Sequence, residues 1–277
     1  MRLFGAAGVA LALLVAGCSS SSSDSTSSGG GTSETTATTM AAEPIRILVT
    51  NDDGYSSDGI DAVVQALREV PDVEVTVVAP LANQSGKGGS VTGGTLTATD
   101  VTTKSGYKAK AVDGTPADSI IWAIEQKGID FTPDLVISGV NAGQNMGPTV
   151  SISGTVGAAR AAALRGIPAL AASQGPLLPP QDFPAAVAQV IDWLNENMPA
   201  IKAGTLTTET IANINAPTCA TGSVRGSIEV PVATTNDGYN DTPNCASTVT
   251  DPTADIQAYL DGFAPLSQLS TTQGATS

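Results

Sequence analysis

Ile45-Arg46-Ile47-Leu48-Val49-Thr50-Asn51-Asp52-Asp53-Gly54 is the stretch on which the reading of the fold turns. Its first half is a β-branched apolar run of strand length, and its second half stops that run on two adjacent carboxylates and a glycine. Beyond it, Ile60, Val63, Val64 and Leu67 recur at helical spacing within a predicted helix over Gly59–Val70. A strand that leads straight into a helix places both acids at the carboxyl end of a parallel strand. Open α/β sheets bind their ligands there. Two carboxylates at such a rim repel each other unless a cation joins them. A divalent-metal site is one reading. The other is a capped turn, because Asp and Asn cap helices and Asp-Gly marks turns.

Working outward, the alternation of strand and helix continues. Val73–Ala79 is a near-continuous β-branched run, as in a strand buried on both faces. A Gly/Ser/Asn loop spans Pro80–Gly94, and Thr95–Thr103 with Tyr107–Val112 alternate as a hairpin. Ala117–Lys127 reads as a helix, Leu135–Ser138 as a third parallel-type strand and Gly139–Ser153 as a second polar loop. Gly154–Arg165 is an Ala-rich helix, Pro168–Ala172 a strand, Phe183–Met198 an amphipathic helix and Ile211–Ile214 a last core strand. From Thr218 onward the pattern weakens. The order predicts a doubly wound, mainly parallel Rossmann-like sheet in a three-layer α/β/α arrangement.

Three loops at strand ends therefore converge on one rim. The first supplies Asp52 and Asp53, the second Asn83 to Ser90, and the third Ser138 to Gly147, then Ser151-Ile152-Ser153-Gly154-Thr155 at a helix start. Two carboxylates with neutral oxygens from Ser and Asn suit a hard cation: Mg²⁺ or Mn²⁺, with Ca²⁺ as a further option. A helix N-terminus offers N–H groups to an anion. A cation beside such an end is what a phosphate ester requires. Taken singly, each loop also reads as a tight turn or an ordinary cap. Gly86-Lys87-Gly88-Gly89-Ser90 lacks P-loop spacing, the first turn lacks GxGxxG, and the absence of His excludes a Ser-His-Asp triad.

Composition and the N-terminus bound the setting. Net charge is −14, from 12 Lys+Arg against 26 Asp+Glu, which argues against a nucleic-acid polymer as partner. Arg2 precedes an apolar run too short to span a bilayer comfortably, and the run ends Leu14-Val15-Ala16-Gly17-Cys18. This ending resembles the bacterial lipoprotein box, in which the Cys is lipidated; the alternative is an ordinary secretory signal. Ser19–Ala42, almost wholly Ser, Thr, Gly and Ala, reads as a flexible tether with a reach of roughly 25–30 Å. Cys219 and Cys245 remain, and in an exported protein such a pair is expected to be bridged rather than free.

These motifs together resemble the SurE family of survival-protein nucleotidases. The resemblance rests on Ile47–Gly54 with Gly59-Ile60, Val78-Ala79-Pro80 with Ser85-Gly86, Gly114–Asp118, Pro133–Gly143, Ser153–Val156 and Asn213–Pro217. It implies a metal-dependent phosphatase of nucleoside 5′/3′-monophosphates or other small phosphate esters, or a broader acid phosphatase, with one divalent cation per site. Carried over by position, Asp52, Asp53, Ser85 and Asn141 hold the metal, Asp52 and Asp53 being catalytic. Asn51, Asn145, Ser153, Gly154 and Thr155 are the expected phosphate and substrate contacts, and Lys87 stands where the family usually has a polar Asn-containing loop. With the N-terminal reading, the chain divides into a lipoprotein leader (1–18), a tether (19–43), a SurE-like domain (44–270) and a disordered tail (271–277). A homodimer is expected, although the part after Pro217 is short compared with the family's. The leader and tether imply an extracytoplasmic setting, lipid-anchored to the cell envelope, which is unusual for the family. A non-catalytic surface protein that binds metal and nucleotide is the alternative.

Overall fold

The computed structural model describes residues 43–176 and 181–272. The expected leader, Cys18, nearly all of the tether and residues 273–277 lie outside them. β1 (Ile45–Thr50) is a central strand, and its alternation divides its side chains between two apolar layers. Ile47 and Val49 pack into one layer, Leu48 into the other. α1 (Asp58–Leu67) buries Ile60, Val63, Val64 and Leu67, the stripe expected from their spacing. β2 (Val73–Pro80) returns parallel to β1. β3 (Ala98–Thr102) and β4 (Lys108–Val112) form the antiparallel hairpin, and β4 joins β2 in parallel.

α2 (Pro116–Ile124) starts on a capping box: Thr115 accepts from the Asp118 amide while the Asp118 carboxylate accepts from Thr115 N–H. β5 (Leu135–Ala142), α3 (Gly154–Ala163), β6 (Ala169–Gly175), α4 (Phe183–Lys202) and β7 (Thr210–Pro217) continue the winding. β5, β6 and β7 run parallel to β1. The side chains of α1 and α4 cover one face of the sheet, and those of α2 and α3 the other. This is the three-layer α/β/α arrangement.

The chain then adds β8 (Ser227–Glu229), α5 (Asp255–Leu260) and β9 (Ala264–Ser270). The nine strands take the order β3-β4-β2-β1-β5-β6-β7-β9-β8. β9 lies antiparallel to β7 and parallel to β8. Met146, Ile256 and Tyr259 form a third, small apolar cluster that ties α5 to the loop after β5.

Several expected boundaries shift by a few residues, and the differences at β5, α2 and the tail have physical reasons. β5 runs past Ser138 to Ala142, because an irregularity between Ser138 and Asn141 lets Asn141 and Ala142 pair with Ser173 and Gln174. Gly and Asn in that run had read as loop. α2 stops at Ile124, short of Lys127, whose φ of 55° leaves the helical region. The tail holds two strands and a helix where no periodicity announced them.

Candidate active site

The β1–α1 turn is built by Asn51 before it presents any acid. Asn51 Nδ2 donates to Gly54 O (3.0 Å) and Ser57 Oγ (2.8 Å), and Oδ1 accepts from Gly54 N (3.1 Å). Gly54 takes φ +97°, a region that glycine enters without strain. The Asn51 side chain, expected as a phosphate contact, is fully buried and bonded within the turn.

Asp52 is 3% exposed, and its Oδ1 accepts from Thr155 Oγ1 at 2.6 Å. Thr155 was expected on the phosphate; its hydroxyl instead orients Asp52, and it is itself fully buried. Gly154 allows this approach, since a Cβ there would lie 2.7 Å from Asp52 Cβ and 2.8 Å from Oδ2. Asp53 is held at both oxygens, Oδ1 by Asn83 Nδ2 (3.0 Å) and Oδ2 by Ala142 N (2.9 Å). The extended β5 is therefore functional: it carries the amide that fixes Asp53. Asn83 Oδ1 accepts from Ser85 N at 2.9 Å, so one side chain links Asp53 to the second loop.

Burial pushes Asp52 up to about 6, against the Thr155 hydrogen bond and with the neighbouring Asp53 charge adding to the rise. Burial also raises Asp53, opposed by the Ala142 and Asn83 hydrogen bonds. Among the described residues, the two adjacent acids have no ion-pair partner.

Asn141 Nδ2 donates to Gly143 O at 2.7 Å, which leaves its carbonyl oxygen as the group a cation takes. Asn145 is pinned by β6 and β7: its N–H donates to Asn215 Oδ1 (2.6 Å), its carbonyl accepts from Asn213 and Asn215, and Nδ2 donates to Ser173 Oγ (2.9 Å). Ser153 caps α3 by accepting from Val156 N at 3.1 Å. Asp52, Ser85, Asn141, Asn145 and Ser153 line one cavity of about 710 Å³. Asp53 adjoins it through Ala142, another lining residue. Lys87 is exposed and does not line the cavity, so the expected compensating charge is not placed there.

Among the described residues no three Asp, Glu, His or Cys side chains converge. The donor set is two carboxylates completed by neutral Ser and Asn oxygens, which fits one hard, partly hydrated divalent cation. The sequence had not marked as site residues others of the lining, Thr149, Ile152 and Tyr239, Asn240, Asp241 and Thr242. Their signal was indirect. The last four lie between Cys219 and Cys245, which are bonded in the structure with Cα atoms 5.7 Å apart.

A mainly parallel α/β sheet with paired acids and neutral oxygens at its rim, beside a helix N-terminus, defines a Rossmann-like protein that seats a cation next to an anion. The chain belongs to the SurE family: the profile of the family described as "Survival protein SurE" matches residues 47–240. It is similar to the "5'-nucleotidase SurE" of Carboxydothermus hydrogenoformans, at 40% identity over 66% of this chain and 68% of that protein. It is similar also to the "5'-nucleotidase SurE" of Methanopyrus kandleri, at 47% identity over 47% of this chain and 49% of the relative. The chain thus spans about two thirds of the first relative and about half of the second. The crystal structure of the SurE protein from Aquifex aeolicus superposes with a TM-score of 0.65 at 26% identity. That match covers 82% of this chain and 94% of the other.

Proposed function

We propose that this chain is a divalent-metal-dependent phosphomonoesterase that converts nucleoside 5′- or 3′-monophosphates to nucleoside and phosphate. One observation carries the reading. Asp52 and Asp53, adjacent and without ion-pair partners among the described residues, are tied by Thr155 and Ala142 to the two ends of the β5–α3 segment that lines the cavity. The relatives' printed name, 5'-nucleotidase, supports the same activity.

Asp52, Asp53, Ser85 and Asn141 would hold the cation, with Mg²⁺ or Mn²⁺ the natural occupants of such an oxygen set and Ca²⁺ a weaker fit. When bound, the cation polarises the phosphoryl oxygen and lowers the pKa of water beside it. Thr155 holds Asp52 in one orientation. Asn145 and the first turn of α3 take up negative charge on the phosphoryl oxygens, and Ser153 fixes where that turn begins. Held in place by Ser173, Asn213 and Asn215, Asn145 needs no reorganisation when charge develops.

The same reading extends to the setting. The run ending at Cys18 and the Ser/Thr tether support export and lipid attachment to the cell envelope, and the Cys219–Cys245 bond suits an oxidising compartment. This reading places attachment at Cys18, on the run that ends there; no helix of the described residues is long and apolar enough to cross a membrane. A homodimer is the assembly carried with it.

The test is phosphate release by the purified protein from nucleoside 5′- and 3′-monophosphates, with Mn²⁺ or Mg²⁺ and with EDTA. Turnover that needs metal and is abolished in Asp53→Asn supports the enzyme. A folded protein that binds nucleotide and metal without turnover would replace it with the non-catalytic binding reading.

A further inference from the structure

The rim residues account for one side of the cavity. Its other side is supplied largely by the segment that the Cys219–Cys245 bond closes. We propose that this segment reads the sugar of the substrate. The Asp241 carboxylate accepts hydrogen bonds from the vicinal 2′- and 3′-hydroxyls of a ribonucleoside 5′-monophosphate. The inference rests on the phosphatase reading above and names the substrate class within it.

The segment is fixed to the rim loop. Tyr239 donates its hydroxyl proton to the Gln144 carbonyl, Gln144 Nε2 donates back to Tyr239 O at 2.9 Å, and Thr149 donates to the Tyr239 hydroxyl at 3.3 Å. Gln144 precedes Asn145, so the wall is indexed to the phosphate end of the cavity. The three residues after Tyr239 then project polar side chains that the fold does not use. Among the described residues, the side chains of Asn240, Asp241 and Thr242 have no hydrogen-bond or ion-pair partner, and all three are exposed. They line the cavity nonetheless.

With phosphate at the rim, the leaving alcohol of the ester falls against this wall. A carboxylate carries two acceptor oxygens, which match two adjacent hydroxyl donors, whereas a hydroxyl or amide offers a weaker pairing. Ile152, 61% exposed and part of the same lining, gives a nucleobase an apolar surface. The volume of about 710 Å³ lies within the range of small-molecule sites. Charge adds a second discrimination: Asp241 repels a polyphosphate chain laid along the wall and leaves a neutral ribose unopposed. A 3′-monophosphate has no free vicinal diol, so the 5′ ester is the preferred isomer.

The experiment compares AMP, 2′-deoxy-AMP and 3′-AMP as Mn²⁺-supported substrates of the full chain. Calorimetric binding of adenosine and 2′-deoxyadenosine is measured alongside. Wild type favours AMP over 2′-deoxy-AMP by about tenfold in kcat/KM, the effect lying in KM, as expected for a hydrogen bond to a partly exposed charge. Asp241→Ala brings that ratio to about one, and Asp241→Asn, which keeps one acceptor, falls between. Because Asp241 is exposed, these variants fold. A wild-type ratio near one, or a ratio that Asp241→Ala leaves unchanged, overturns the proposal. If no ester is hydrolysed but adenosine binding still weakens in Asp241→Ala, the sugar contact stands and the phosphatase reading falls.

Discussion

The two sides of the cavity are held by different physics. On the rim side most positioning groups are buried: Asn51 and Thr155 are fully enclosed, and all ten residues of α3 are buried, while Asn83, which holds Asp53 Oδ1, is exposed. On the far side, residues 239–242 sit in an irregular segment anchored by a covalent bond and a few polar contacts. One of those anchors is Asp255, 1% exposed, whose oxygens accept from Gly147 N (2.9 Å) and Ala233 N (2.8 Å). The contrast teaches that chemistry and selectivity are supported separately. Close packing keeps carboxylates within tenths of an ångström, which catalysis needs. A stapled loop holds a surface in place while leaving its side chains free to differ between relatives.

The comparison breaks first at Asp52. Asp52→Asn preserves shape and the Thr155 contact but removes charge, and kcat should fall about a thousandfold in steady-state phosphate release. The same change should stabilise the metal-free fold. With its pKa raised from 3.8 to about 6, native Asp52 binds more protons than the unfolded chain between those values. Stability therefore falls as pH rises through that window, by about 3 kcal/mol when complete. Melting curves in EDTA from pH 4 to 7 should show this slope in wild type and its loss in Asp52→Asn. A slope of the same size in the variant would mean that the rim is not the strained side.

Gly154→Ala comes next. A methyl group 2.7 Å from Asp52 Cβ forces the α3 start away from the acid. We expect about a hundredfold loss in kcat with about 1–3 kcal/mol of destabilisation, read by kinetics and thermal melting. A smaller step is Cys219→Ser with Cys245→Ser. Opening a loop of sequence separation 26 should cost about 3 kcal/mol, while KM for nucleotides rises and kcat changes by less than about threefold. A fall in kcat as large as that of Gly154→Ala would erase the division of labour. Lys87→Ala, exposed and off the cavity, should change kcat/KM by less than about twofold.

The rim was legible in the sequence because its physics is periodic. Ile47, Leu48 and Val49 alternate between two layers, and Ile60, Val63, Val64 and Leu67 repeat at helical spacing, so the acids between them could be placed at a strand end. Membership of the site was easier to read than the task of each side chain. Asn51 and Thr155 have the right chemistry for phosphate, yet the Asn51 side chain closes a turn and the Thr155 hydroxyl donates to Asp52, because each meets a buried polar partner in the fold. Residues 239–242 carried no periodic signal. They are exposed on irregular backbone, and what fixes them is a contact between Tyr239 and Gln144 across 95 positions of chain.

The place of β9 between β7 and β8 has a temporal side. Translation proceeds from the N-terminus, and early-made parts of a chain fold first where they can. The strands that carry the acids are complete once Pro217 has been made, but β8 has nothing to pair with until β9, residues 264–270, arrives. Asp255 and Tyr259, which brace the wall, are also among the late residues. On the proposed reading, a nascent chain owns a seat for the cation well before it owns a wall for the nucleoside, and selectivity is the last property the growing polypeptide acquires.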